Sequence, residues 1–376
     1  MSGERTYLDW NATAPLRPEA RAAMVAALNV IGNPSSPHTE GRRARAIVED
    51  AREQVAALVG ATPAEVVFTS GGTEANNAVL SAGWDAIFVA GIEHDSVLAP
   101  AHASGARVVD LAVDRSGIVL TDILGNAAPV GRALLSVQLA NNETGVLQHV
   151  GELAPAAKAK GLFVHTDAVQ AAGRVAVDLR QLGVDCLSLS AHKIGGPKGI
   201  GALVIDERES LPALVKGGGQ ERRRRAGTEN VAAIAGFGAA AAAAQRDLAL
   251  VERVRALRDV LETRLRAISP AAVVIGGDTT RLPNTACVAL PGATAETLVI
   301  AFDLAGVAVS AGAACSSGKV GASKVLAAMG VDGDLARAAI RVSLGWTTTE
   351  ADVAAFIATW SKVVRSRTVR AAAEAA

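Results

Sequence analysis

An α/β fold, with a mostly parallel central sheet flanked by helices and a smaller α/β unit toward the C-terminus, is predicted by three features of this 376-residue chain. The length exceeds one ordinary core, so two domains, or one large α/β domain with an appendage, are expected. From residue 66 to 205, short β-branched runs give way repeatedly to polar or Gly-containing turns and then to helical patterns, as in strands joined by crossover helices. After Thr228 the pattern becomes an Ala-rich helix and then a long amphipathic one that leads out of the first unit. No repeat period of roughly 20–50 residues appears, so a solenoid is not expected.

The predicted strands, in order, are 66–68, 87–90, 134–139, 162–165, 186–189 and 202–205. Each is short and apolar enough to be buried on both faces of a parallel sheet. Residues 231–244 form the longest stretch free of charged and strongly polar side chains. It is too short for the ~20 residues that span a bilayer, and its Ala and Gly content reads as a packed helix. In 246–268, Leu248, Val251, Val254, Leu257, Leu261 and Leu265 recur at helical spacing. VVIGG, TACVALPG and the helical pattern up to Trp360 read as strands with covering helices. The closing VRAAAEAA lacks an apolar stripe, so a frayed tail is expected.

Composition removes several function classes. Lys+Arg 37 cancels Asp+Glu 37, so bulk charge recruits neither nucleic acid nor an anionic membrane. Aromatics are only 3%, too few for base-stacking platforms. MSGERTYLDW carries charges where a secretory segment needs apolar residues, so export is not expected. Cys186, Cys287 and Cys315 lie far apart, giving neither a metal-binding C-x-x-C nor a disulfide framework. A reducing, cytoplasmic setting and no metal site are expected.

In an open parallel sheet, ligands bind beyond the carboxyl ends of strands. Five such ends carry suggestive side chains. After VVF comes TSGGTEANN, where Gly71 and Gly72 permit close backbone approach and Thr73 opens a helix, as in a phosphate cradle. Alone, it also reads as a Gly turn with Thr73 as N-cap. His94 lies four residues past IFVA, and alone it reads as a hydrogen-bonded loop histidine. Asn141, Asn142 and Glu143 follow LLSVQL as ligand-binding amides or as an Asx-turn. Asp167, with Gln170 beyond it, follows LFVHT; it could hold a cationic ring nitrogen or cap a helix. Ser190, His192 and Lys193 follow CLSLS. Desolvation there would make Lys193 a usable amine nucleophile, although a lone lysine usually belongs to the solvated surface.

Together these ends supply what pyridoxal 5′-phosphate requires: a phosphate cradle, a histidine able to stack, a carboxylate for the pyridinium nitrogen and a Schiff-base lysine. SGGTEANN lacks the G-x-G-x-x-G spacing of a dinucleotide site. The chain resembles the cysteine desulfurases of the NifS/IscS type, within the class V aminotransferase group of fold type I enzymes. The matching segments are GNPSSPH (32–38), FTSGGTEANN (68–77), NNETG (141–145), HTDAVQ (165–170), SAHKIGGPKGIGAL (190–203), GGGQERRRRAGTEN (217–230) and SAGAACSSG (310–318). The likeness runs from Tyr7 to Glu350.

The resemblance implies a large cofactor-binding domain over 14–258 and a small domain of 1–13 with 259–376. It implies that Lys193 holds the cofactor as an internal aldimine and later moves the substrate α-proton, that Asp167 pairs with the pyridine nitrogen and that His94 stacks on the ring. Gly72, Thr73, Ser190 and His192 match phosphate contacts, Gln170 a contact to the ring hydroxyl, and Asn142 a residue facing cofactor and substrate. Thr228 matches a residue reaching the neighbouring subunit's phosphate, which implies a homodimer. Arg341 matches the arginine that binds the substrate carboxylate, where a planar fork suits bidentate pairing. Cys315 would take sulfur from L-cysteine as a persulfide, leaving alanine. Its small-residue surroundings are those of a mobile loop, whereas Cys186 and Cys287 interrupt strand-like runs and read as buried thiols.

The CSSG context points to sulfur delivery to an iron–sulfur scaffold or a tRNA-thiolation relay. Trp10, Ala14, Ala191, Gly196 and Arg223 depart from the commoner family pattern. The rival readings are a selenocysteine lyase or another class V aminotransferase, and a non-catalytic α/β scaffold.

Overall fold

The computed structural model describes residues 5–120, 131–312 and 323–374, with side chains described as far as residue 366. After a short β1 (Thr6–Tyr7), the chain builds a seven-stranded sheet from β2 (Val66–Thr69), β3 (Ala86–Ala90), β4 (Arg107–Leu111), β5 (Ala133–Ser136), β6 (Leu162–Asp167), β7 (Cys186–Ser190) and β8 (Gly201–Ile205). The spatial order is β2-β8-β7-β6-β5-β3-β4. Strands β3 to β7 pair in parallel, and β8 runs antiparallel between β2 and β7. The α/β, mostly parallel expectation therefore holds, with one strand reversed. The link 191–200 is shorter than the dozen or more residues a crossover needs, so the chain can only turn back on β7.

Side chains of the sheet alternate between two apolar layers. Val66, Phe68, Phe88, Leu135 and Val204 join one buried cluster, and Val67, Ile87, Leu134 and Leu203 join another on the opposite face. Two strands differ from the sequence expectation. The run at 134–139 is regular strand only through Ser136; beyond it Val137 and Leu139 still donate to the His165 and Asp167 carbonyls of β6, while the Gln138 N–H turns to Glu93 on the other side. Strand β4 was not foreseen: RVVDL occupies a sheet edge, and its exposed Arg107 and Asp110 mask the pattern.

Helices α1 (Pro18–Leu28), α2 (Thr39–Leu58), α3 (Gly72–Leu80) and α4 (Asp95–Ala103) cover the sheet. Buried Ala44, Val48, Ala51 and Val55 form the inward stripe of α2. The Ala-rich helix Val231–Asp247 packs on α1 and α2. A methyl added at Gly238 would sit 2.6 Å from the Ala51 Cα, so the helices can touch only without it. The predicted helix at 246–268 is interrupted: Leu248–Leu250 form a 3₁₀ turn, and the amphipathic helix is Val251–Ile268. Neither Leu248 nor Leu250 is buried, so neither ties that turn into a core.

Four further strands, β9 (Val273–Ile275), β10 (Thr285–Ala289), β12 (Ser310–Ala311) and β13 (Ala339–Ser343), form an antiparallel sheet ordered β12-β13-β10-β9, while β11 (Val307–Ala308) pairs with β1. Helices Val251–Ile268, Ala295–Leu304 and Glu350–Glu374 share its apolar core, in which Phe302 stacks on Phe356 at 4.6 Å. The last helix continues through Glu374 where a frayed tail was expected; its Ala-rich end carries helix propensity without needing to dock. Among the described residues, no helix is long and apolar enough to cross a membrane.

Candidate active site

Because β2, β3, β5, β6 and β7 run the same way, their carboxyl ends meet at one rim of the sheet. A cavity of about 540 Å³ opens there. Its wall includes Gly72, Thr73, His94, Asn142, Asp167, Gln170, Ser190, His192 and Lys193. Also on the wall are Asn76, Ser96 and Lys198, for which the sequence suggested no role.

One end of the cavity is made by the first turn of α3. The opening N–H groups of a helix lack intrahelical partners and carry the positive end of its dipole, so they favour an anion. Close packing forces glycine here: a methyl on Gly201 would stand 2.6 Å from the Gly71 carbonyl carbon and from the Leu189 oxygen. The helix starts at Gly72 with Gly71 as its cap, so the cap reading of Thr73 does not apply. His192 hydrogen-bonds Thr13 Oγ1 at 3.1 Å. Burial, with the positive Lys193, Lys198 and Arg174 nearby, lowers the His192 imidazole to about 4, so it is neutral at physiological pH.

Asp167 closes β6. Its Oδ1 accepts the Val169 N–H at 2.9 Å, and its Oδ2 accepts Asn76 Nδ2 at 2.8 Å. No helix directly follows Asp167, so the cap reading does not apply: Oδ1 closes a turn while the carboxylate lies on the cavity wall. His94 caps α4, its Nδ1 accepting the Ser96 N–H at 3.0 Å. Lys193 Nζ donates to the carbonyls of Asn11 (2.6 Å) and Ala12 (2.9 Å), so the stretch before α1 meets the amine directly. Gln170 Nε2 donates to the Asn11 carbonyl at 3.1 Å, and its Oε1 accepts from Arg174.

At the third strand end the roles divide. Asn141 Oδ1 accepts the N–H groups of Glu143 and Thr144, each at 2.9 Å, as an Asx-turn does. Asn142 faces the cavity. Its carbonyl accepts Arg341 Nη1 at 3.0 Å, and Arg341 Nη2 donates to Asp9 at 2.8 Å. Arg341 is 1% exposed on β13, is not among the side chains on the cavity wall, and keeps one donor, Nε, without a partner among the described residues. Burial pushes the neighbouring Glu143 carboxyl up to about 7, opposed chiefly by the Ser323 hydroxyl that donates to it at 2.5 Å.

Thr228 is exposed and away from this wall. Cys315 lies outside the described residues. Cys186 on β7 and Cys287 on β10 are fully buried, and burial raises both thiols, Cys287 to about 12, so neither offers a thiolate.

The donor set fits pyridoxal 5′-phosphate. The α3 turn, Ser190 and neutral His192 suit a phosphate, Asp167 suits a protonated ring nitrogen, and Lys193 supplies an amine. Asn76 leaves a trace in the sequence: it lies four residues after Gly72, on the same face of α3 as the cradle.

Comparison with known proteins agrees with this reading. The aminotransferase class-V family profile matches residues 6–356. The chain is 41% identical to the cysteine desulfurase IscS of Dictyoglomus turgidum, over 92% of this chain and 91% of the relative. It is 43% identical to a cysteine desulfurase of Cereibacter sphaeroides, over 93% of both chains. A solved NifS-like protein from Rickettsia africae superposes with a TM-score of 0.90 at 34% identity, covering 96% of this chain and 100% of the other. The chain therefore belongs to the pyridoxal 5′-phosphate-dependent class-V aminotransferase family and, within it, to the cysteine desulfurases of the NifS/IscS type.

Proposed function

We propose that this protein removes sulfur from L-cysteine, leaves L-alanine, and carries the sulfur as a persulfide on Cys315 to an acceptor protein, working as a cytoplasmic homodimer. The observation that carries this reading is the meeting of an amine, a carboxylate, a neutral histidine and a helix N-terminus around one cavity of suitable size. Bound there, the cofactor would supply a conjugated, electron-accepting ring, joined through the substrate's amino nitrogen, that can take up charge developing at the α-carbon.

The chain's own groups do the rest. The α3 turn, Ser190 and His192 bind the phosphate, and Thr228 of the other subunit completes that end. Asp167 would keep the ring nitrogen protonated, His94 would lie against the ring and Gln170 would orient the ring hydroxyl. The Lys193 amine would take the substrate α-proton and return it as a general base and acid. Asn142 and Arg341 hold the substrate carboxylate; the unpartnered Nε of Arg341 and the Nη2 now shared with Asp9 are the donors for it.

The Cys315 thiolate then attacks the substrate sulfur. The S–S bond forms as the C–S bond breaks, the released electron pair stays on the substrate carbon, and that carbon takes a proton to become the methyl of alanine. No outside oxidant enters. The acceptor is an iron–sulfur cluster scaffold or a tRNA-thiolation relay.

The deciding experiment measures alanine release from L-cysteine, with and without reductant, in wild type and Cys315→Ala, beside the visible absorbance of wild type and Lys193→Ala. A yellow wild type, a colourless Lys193→Ala and a Cys315→Ala protein that makes no alanine are expected. Alanine formed equally by Cys315→Ala points instead to a transaminase, and a strong preference for selenocysteine points to a lyase for that substrate. A colourless wild type that binds no cofactor would leave only a scaffold role.

A further inference from the structure

We propose that Asn76 and Ser96 are positioning residues that join the Asp167 carboxylate to the His94 imidazole through one directed chain of hydrogen bonds. Asn76 lies on α3, is 1% exposed, and donates from one amide nitrogen twice, to Asp167 Oδ2 at 2.8 Å and to Ser96 Oγ at 2.9 Å. Ser96 Oγ is in turn 2.8 Å from His94 Nδ1. Groups on β6, α3 and α4 are thereby tied together.

The direction of the chain is fixed from both ends. An ionised carboxylate only accepts, so Asn76 must turn its NH₂, not its oxygen, toward Asp167. At the other end, the Ser96 backbone N–H lies 3.0 Å from His94 Nδ1, which makes that nitrogen an acceptor. The Ser96 hydroxyl, 2.8 Å away, then donates to the same Nδ1 lone pair as the second arm of a bifurcated hydrogen bond and offers its own lone pairs to Asn76, which has a second N–H to fill them. Every group takes a role its chemistry allows. The outcome is a neutral His94 carrying its proton on Nε2, and an Asp167 whose Oδ2 is steadied from the side.

This geometry leaves Asn76 Oδ1 buried without a partner among the described residues. An amide serving only to fill space would not keep both of its N–H groups committed at the expense of its oxygen. A deficit of this kind next to a cofactor-sized cavity marks an arrangement kept for the site rather than for the core.

The inference rests on the cofactor reading above, in which Asp167 meets the ring nitrogen and His94 the ring face. The Asn76 N–H then favours the charged carboxylate, which leaves the shared proton on the ring side. Without it the proton shifts toward Asp167, the ring withdraws electrons less strongly, and the nitrogen contributed by Lys193 keeps its own proton to higher pH.

The test uses wild type, Asn76→Ala, Ser96→Ala, the double variant and Ser96→Thr. Cofactor affinity is read by equilibrium dialysis, the visible band of the loaded proteins is followed against pH, and the ring nitrogens of His94 are observed by NMR in cofactor-free, ¹⁵N-histidine-labelled wild type. Asn76→Ala is expected to weaken cofactor binding about tenfold and to raise the midpoint of the band by about one pH unit, the size of one charge-assisted hydrogen bond. Ser96→Ala should move both the same way by less, Ser96→Thr should match wild type, and the Ser96→Ala effect should vanish in the Asn76→Ala background.

Additive effects of the two substitutions, or an unchanged affinity and midpoint in Asn76→Ala, would overturn the chain. So would a His94 proton on Nδ1 in cofactor-free wild type. That last reading needs no cofactor, so it judges the chain even if the wild type binds none, an outcome that would sink the cofactor reading separately.

Discussion

Glu93 stands beside His94 with its side chain closed off from water, 4% exposed. Its Oε1 accepts the Gln138 N–H at 2.8 Å, and its Oε2 has no partner among the described residues. Burial drives this carboxyl well above its ordinary 4.5; the Gln138 hydrogen bond opposes the rise and the charge of Asp167 adds to it. An acid raised in the folded state contributes its full stability below the unfolded pKa and loses it as pH climbs toward the folded value. Glu93→Gln is neutral at every pH. The urea midpoint of wild type should therefore fall more than that of Glu93→Gln between about pH 5 and about pH 8, and parallel curves would disprove it. Lys193, Asp167 and the turn at Gly71 could be read from sequence because each directly follows an apolar run. Glu93, Asn76 and Ser96 could not, since their parts depend on which polar atoms face one another across different elements.

The segment that leads to Thr228 shows how an element can be held against its own backbone preference. Glu221, Arg222 and Arg223 have φ of 44°, 56° and 66°, left-handed conformations that side chains disfavour. Glu221 anchors them from inside: both of its oxygens bind the Arg52 guanidinium of α2, at 2.7 and 2.9 Å, and Oε2 also takes the Phe68 N–H at 2.9 Å. Glu221→Ala would strand the buried Arg52 charge and is expected to cost about 3–5 kcal/mol, read from urea unfolding. Arg223→Gly should act oppositely, raising stability by about 0.5–1 kcal/mol as the strain is relieved; a loss of stability in urea unfolding would refute this. The sequence flagged Arg223 as unusual but could not show the buried pair beneath it, because Arg52 and Glu221 lie far apart in the chain. Strand existence was more legible than strand extent or direction. Central strands announce themselves by apolar runs, edge strand β4 does not, and the reversal of β8 followed only from the length of the link that carries Lys193.

At the scale of the whole molecule, the residues before α1 stitch the two larger sheets together. Strand β1 pairs with β11, Asn11 bonds Thr285 on β10, and the Asn11 carbonyl reaches Lys193. The sequence could not announce this crossing, since nothing in YLDWNATAP says which distant elements it will touch. In the proposed homodimer, Thr228 serves the other subunit's cavity. Thr228→Ala should then weaken cofactor binding about tenfold although the residue is not on the cavity wall of its own chain, while light scattering should give the mass of two chains. A single-chain mass with wild-type cofactor affinity in Thr228→Ala would refute the shared site. Because β8 doubles back on β7, the two strands that bracket the amine come from contiguous chain, and closing such a short loop costs little entropy. During synthesis, that bracket can be complete as soon as Ile205 has left the ribosome, before the Ala-rich helix Val231–Asp247 that packs on α1 and α2 has been made.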